Sequence, residues 1–131
     1  MLGEMLGEGR GKITGQRVLP DGKVEVSFQQ SNKILGVETT EIGTYTSEMR
    51  PDGTLCGEGQ GVEMTKDGET AMWKGSGVGR FTRPGAASYR GAIYYQTTSK
   101  KQLARLNGVA AVFEYETDEN GNTSGKFWEW K

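Results

Sequence analysis

Polar and apolar residues alternate with period two along most of this chain, and the alternation is cut at short intervals by turn residues. Four of the five Asx-Gly pairs mark the cuts: Asp21-Gly22, Asp52-Gly53, Asp67-Gly68 and Asn120-Gly121. Pro20 and Pro51 precede two of them, and Arg83-Pro84-Gly85-Ala86-Ala87 makes a fifth break. An Asx-Gly pair between alternating runs is a strong hairpin signal, because tight turns need positive φ. The intervening segments, near 9–19, 23–31, 35–50, 54–65, 70–82, 88–98, 107–117 and 122–131, read as strands. About ten residues per strand with no βαβ alternation predicts an all-β fold, a single closed antiparallel barrel of about eight strands. The domain covers 1–131, with 1–8 readable as a loose N-terminal segment. Ser99-Lys100-Lys101-Gln102-Leu103-Ala104-Arg105-Leu106 breaks the rhythm with helix-forming residues and Asn107-Gly108 as a stop, predicting one short helical segment near 99–106 that plugs a barrel end.

Parity then assigns faces. If each Asx-Gly pair is a two-residue turn, the residues flanking it face the same side. Tyr45, Ser47 and Met49 thereby join Cys56, Glu58, Gln60, Val62 and Met64, and then Ala71, Trp73, Gly75, Gly77, Gly79 and Phe81. This set is the more apolar and is taken as the interior. Ile13, Leu19, Val24, Val26, Phe28, Val109, Ala111, Phe113, Tyr115, Trp128 and Trp130 are placed inside by the same logic. A longer last loop would turn the two tryptophans outward. Tyr89, Tyr94 and Tyr95 share one strand and cannot all face one way.

Composition sharpens this picture. Glycine contributes 21 of 131 residues, and three strands carry it in alternation: Gly7-Gly9-Gly11, Gly57-Gly59-Gly61 and Gly75-Gly77-Gly79. A phosphate-binding loop needs a strand before and a helix after its glycines, and neither context is present. Two readings of the ladders remain: relief of crowding where strands coil tightly, or a hollow in the lumen between Trp73 and Phe81. The second makes Tyr45, Glu58, Gln60, Trp73, Gly75, Gly77, Gly79 and Phe81 the candidate ligand pocket. Glu58 is then the best candidate for an acid or base, since a carboxyl inside a barrel must be paired, hydrated or protonated.

The chain has 16 basic and 17 acidic residues, one cysteine and no histidine. Interleaved charge near neutrality argues against a nucleic-acid or membrane-surface partner. Without histidine, Ser-His-Asp and Cys-His catalysis are excluded and most catalytic zinc sites are disfavoured. No metal or cofactor is expected. Cys56 alone excludes an internal disulfide, and the N-terminal residues lack a signal-peptide pattern, so the expected location is cytoplasmic.

Thr44-Tyr45-Thr46 through Arg50-Pro51-Asp52-Gly53, Gly57-Glu58-Gly59, Trp73-x-Gly75-x-Gly77-x-Gly79-x-Phe81, Leu103-x-x-Leu106-Asn107-Gly108 and the terminal aromatic strand resemble uncharacterised bacterial proteins whose barrel is similar to allene oxide cyclase. The resemblance implies an eight-stranded antiparallel barrel with a short helical segment. The cyclase's pocket residues have no position-by-position match here, so its reaction does not transfer. The function expected is binding of a small apolar ligand, as a simple binder or as a cyclase or isomerase. The alternative is a solidly packed structural or interaction module. A homo-oligomer is compatible with either.

Overall fold

The computed structural model describes residues 2–131. Eight antiparallel strands close into a barrel in sequence order: β1 Leu2–Val18, β2 Val24–Ile34, β3 Val37–Met49, β4 Thr54–Met64, β5 Thr70–Arg83, β6 Ala86–Gln96, β7 Ala110–Thr117 and β8 Asn122–Trp130. Every strand pairs with its sequence neighbour, and β1 closes on β8. Closure leaves no exposed sheet edge. β1 begins well before the expected residue 9, and its first residues pair with β8 from Leu2 against Trp130 onward.

The hairpin loops decide which side chains enter the lumen. At all four Asx-Gly hairpins the loop has three residues rather than two; Leu19 N donates to Lys23 O around Pro20-Asp21-Gly22, and the other three loops share a second bond. Arg50 N donates to Thr54 O and Gly53 N to Arg50 O, so Pro51-Asp52-Gly53 form the loop. Thr65 and Glu69 flank Lys66-Asp67-Gly68, and Asp118 and Asn122 flank Glu119-Asn120-Gly121, with the same two bonds. In these three, the glycine holds the left-handed conformation, at φ 87, 91 and 79 respectively. A type I turn followed by a left-handed residue is the common three-residue solution. Each such loop shifts the parity by one residue.

The expected interior of β4 is therefore overturned. Leu55, Gly57, Gly59, Gly61 and Glu63 face inward, while Glu58 and Gln60 are exposed and Cys56, Val62 and Met64 lie on the outer wall. The Lys66-Asp67-Gly68 loop flips the parity back, so β5 still turns Ala71, Trp73, Gly75, Gly77 and Gly79 inward. Phe81 departs from the expectation at 53% exposed; it is the last regularly paired residue of β5 before a register shift near the strand's end. Met49 also lies outside, at the strand's end. The Glu119-Asn120-Gly121 loop puts Thr123, Gly125 and Phe127 inside and turns Trp128 and Trp130 outward.

The β2–β3 turn carries neither an Asx-Gly pair nor a proline. Leu35-Gly36 joins β2 to β3 with positive φ at both residues, 54 and 78. Leu35 is held there by its N–H bonding to Leu6 O and by packing against the core. The expected helix contracts to a single 3₁₀ turn, Ala104–Leu106, within the β6–β7 connection. Leu103 and Leu106 are fully buried and cover one end of the barrel. Glu69 anchors this cap: its Oε1 accepts from Ser99 Oγ at 2.5 Å and Leu103 N at 3.0 Å. Among the described residues no helix is long and apolar enough to cross a membrane.

Candidate functional site

Corrected parity brings together side chains that the sequence reading kept apart. Gln30 on β2 lies opposite Glu41 on β3, and Glu41 lies opposite Glu63 on β4. All three point inward and are almost fully buried, with Glu41 2% and Glu63 1% exposed. Two like-charged residues directly opposite each other destabilise a sheet. Asn32 answers this from the next inward position of β2. Its Nδ2 donates to Glu41 Oε1 at 2.8 Å and to Glu63 Oε1 at 2.9 Å. Thr39 Oγ1 donates to Glu63 Oε1 at 2.9 Å, and Gln30 Nε2 reaches Glu41 Oε1 at 3.3 Å and Asn32 Oδ1 at 3.1 Å. Gly9 makes room for this bridge, since a Cβ there would overlap Asn32 Oδ1.

No lysine or arginine is buried among the described residues, so the carboxyls have no counter-charge. Burial, then the neighbouring Glu63 charge, pushes the Glu41 carboxyl up to about 8. Burial likewise raises Glu63. Glu41 is thus a carboxylic acid that retains its proton at neutral pH and can give it up slightly above. Gln30 Oε1, on a side chain that lines the lumen, is buried without a hydrogen-bond partner.

On the other side of Glu41 the lumen becomes aromatic. Phe28, Tyr45, Tyr89 and Tyr115 pack as a group, with ring centroids 5.3 Å apart for Phe28–Tyr115 and 5.6 Å for the edge-on Tyr45–Tyr115 pair. Such offset and edge contacts suit the ring quadrupoles. Ser47 Oγ and Tyr89 Oη are 2.9 Å apart, and Tyr45 Oη reaches Tyr115 Oη at 3.4 Å. Desolvation raises all three phenols above their ordinary value.

Between the aromatic group and the carboxyls lies a cavity of about 70 Å³. Its walls are Phe28, Tyr45, Trp73, Tyr89, Phe113 and Tyr115, its floor the glycine backbone of β4 and β5, and its polar end Gln30 and Glu41.

Of the expected pocket residues, the structure brings Tyr45, Trp73, Gly75 and Gly77 to this cavity. Glu58 contributes backbone to the wall while its exposed side chain lies outside. Gln60 is exposed too, beside Thr44 and Lys74 in an outer-wall depression. Gly79 faces inward against Tyr89 but does not line the cavity, and Phe81 lies outside. Glu41, Gln30, Asn32 and Glu63 were missed. Reading Pro51-Asp52-Gly53 as a three-residue loop would have found Glu63, because proline's fixed φ suits the first central position of a type I turn.

The ladder glycines prove unequal. A Cβ on Gly59 would overlap Thr44 O, one on Gly75 would overlap Ala92 O, and one on Gly61 would meet the Trp73 indole at 2.5 Å. Crowding explains these. Gly57 differs: its Cβ would meet Thr46 O at 3.5 Å and Tyr89 Cε2 at 3.6 Å, ordinary contacts at the cavity wall.

No known protein family and no curated protein matches the sequence. Solved structures do match in fold. A conserved protein of unknown function from Rhodopseudomonas palustris superposes with TM-score 0.79 at 12% identity, covering 98% of this chain and 97% of that one. A protein of unknown function from Clostridium acetobutylicum gives TM-score 0.80 at 13% identity, covering 98% of each. At these identities the likeness is one of fold.

Proposed function

We propose that this chain binds a small molecule inside its barrel. The cavity carries the reading: an aromatic hollow with a few convergent polar groups at one end is the usual make-up of a small-molecule site. Its size admits a compact ligand of a few heavy atoms, with an apolar body against the rings and a polar end toward Gln30 and Glu41. If the bound molecule is also transformed, as in a cyclase or isomerase, Glu41 is the group poised for proton transfer near neutral pH.

The test is titration of isobutanol, followed by the aromatic proton resonances of Tyr45, Tyr89 and Phe113. Saturable shifts are expected, and Gly57→Val, which places two methyl groups into the hollow, should abolish them without lowering the melting temperature. Absence of saturable shifts in the wild type would favour an interaction module working through its outer wall. That second reading has its own surface: Leu2 and Trp130 are paired in register and exposed at 56% and 59%, and Tyr94 is exposed at 59%.

A further inference from the structure

We propose that the ligand of the lumen is a small organic cation, an alkylammonium whose nitrogen lies against Glu41 and Gln30 and whose alkyl body is boxed by aromatic rings. This rests on the proposal that the lumen binds a small molecule, and adds the ligand's charge. Three observations converge on it. The interior holds two carboxyls and, among the described residues, no buried basic side chain. A positive ligand would supply the missing counter-charge, and a buried carboxylate without one is costly. Next, Gln30 Oε1 is an acceptor with no donor, on a side chain 2% exposed that lines the cavity. An ammonium offers three N–H donors, enough for this amide oxygen and the Glu41 carboxylate together. Finally, the remaining walls present aromatic side chains, Phe28, Tyr45, Trp73, Tyr89, Phe113 and Tyr115. Ring faces attract a desolvated cation, most strongly that of tryptophan.

Binding of this kind takes a proton off the protein. The groups around Glu41 are Gln30 and Asn32 from β2, Glu63 from β4, Trp73 from β5, Tyr95 from β6 and Tyr115 from β7. None of them is cationic, and the phenols stay neutral through the range in which Glu41 titrates. The ammonium therefore meets Glu41 as an acid at neutral pH. It displaces the carboxyl proton to solvent, and N⁺–H···O⁻ contact replaces O–H.

The experiment compares isobutylammonium with isobutanol, a neutral molecule of nearly the same shape, by calorimetry on the wild-type protein. At pH 9 the ammonium should bind at least tenfold more tightly than the alcohol. Its affinity should fall about a hundredfold from pH 9 to pH 6 as the carboxylate is lost, while that of the alcohol stays flat. At pH 7, titration in two buffers of different ionisation enthalpy should show close to one proton released per ammonium bound. Glu41→Gln should lose the preference for the ammonium and most of its pH dependence, since the remaining carboxyl, Glu63, does not line the cavity. If isobutanol binds as well as or better than the ammonium across this range, the lumen takes neutral ligands and the cation assignment fails while the binding function stands. If neither binds, both fail.

Discussion

At the Glu41–Glu63 end of the lumen, five side chains share five hydrogen bonds, and their donors and acceptors fix one another's positions. At the other end, Tyr45, Tyr89 and Tyr115 are joined mainly by ring contacts, with phenol bonds of 2.9 Å and 3.4 Å to Ser47 and between two of the rings. The two regions solve the same packing problem with opposite materials. The aromatic end gains stability from buried area, which is non-directional and tolerates a gap. The carboxyl end depends on direction: each group is costly to bury and becomes tolerable only through its partners. A cavity between them thus has one adaptable wall and one that specifies chemistry.

The largest expected effect sharpens this contrast through pH. Glu41 titrates near 8 in the folded protein and near 4.5 in the unfolded chain. A raised folded value means that the folded state holds the proton more tightly. Its contribution to stability is fully present below about pH 4.5 and is lost as pH rises to about 8. The loss is on the order of 5 kcal/mol. Exposed Asp52, Asp67 and Asp118 work in the opposite sense, since their lowered values favour the folded state above the acid range. Urea melts should therefore show greatest stability near pH 5 and a steep decline toward pH 8, and Glu41→Gln should flatten the decline. A wild-type curve that is level from pH 5 to 8 would show that the carboxyls are not buried as a pair.

Asn32→Ala comes next. It removes the amide that bridges both carboxyls and leaves each short of a donor. Leaving buried polar groups short of a donor costs about 1–3 kcal/mol. The destabilisation, read from urea midpoints, should be larger at pH 8 than at pH 5. A loss under about 1 kcal/mol at both would mean that water replaces the amide without cost.

The aromatic end was far more legible in the sequence than the carboxyl end, for a reason that lies in the loops. Strand number, closure and turn sites follow from alternation and Asx-Gly pairs, which are local signals. Faces do not. The two-residue reading at both Asp52-Gly53 and Asp67-Gly68 is off by one, and the two shifts cancel, so β3 and β5 keep their correct faces while β4 between them is inverted. Tyr45 and Trp73 were therefore placed inward and Glu63 outward by one and the same argument. Apolar character could not correct it, because the true inner face of β4 is Leu55, three glycines and a glutamate. A buried glutamate looks like a surface residue until its partners are known, and Asn32, Thr39 and Glu41 lie on strands whose register comes from the whole barrel. The Leu35-Gly36 turn was hidden in the same way: leucine in the left-handed region is set by its tertiary contacts rather than by local preference.

The smallest expected effect separates the two meanings of one glycine ladder. Gly57 and Gly59 are two residues apart on the inner face of β4. At Gly59 an added methyl group would overlap the Thr44 carbonyl oxygen, a backbone atom fixed in the β3–β4 ladder. At Gly57 the same methyl group would meet Thr46 O and the Tyr89 ring at 3.5 Å and 3.6 Å, ordinary contact distances beside the cavity. Gly59→Ala should thus strain the sheet and cost about 1–3 kcal/mol, as overpacking does. Gly57→Ala should fall within about 0.5 kcal/mol of wild type, because a methyl group entering open space gains burial and contacts. It should also weaken isobutanol uptake by narrowing the hollow. Equal destabilisation by both substitutions would show that the whole ladder is there to let strands approach, with nothing left over for a ligand. A neutral Gly57→Ala with weakened uptake would place the binding space against that single residue.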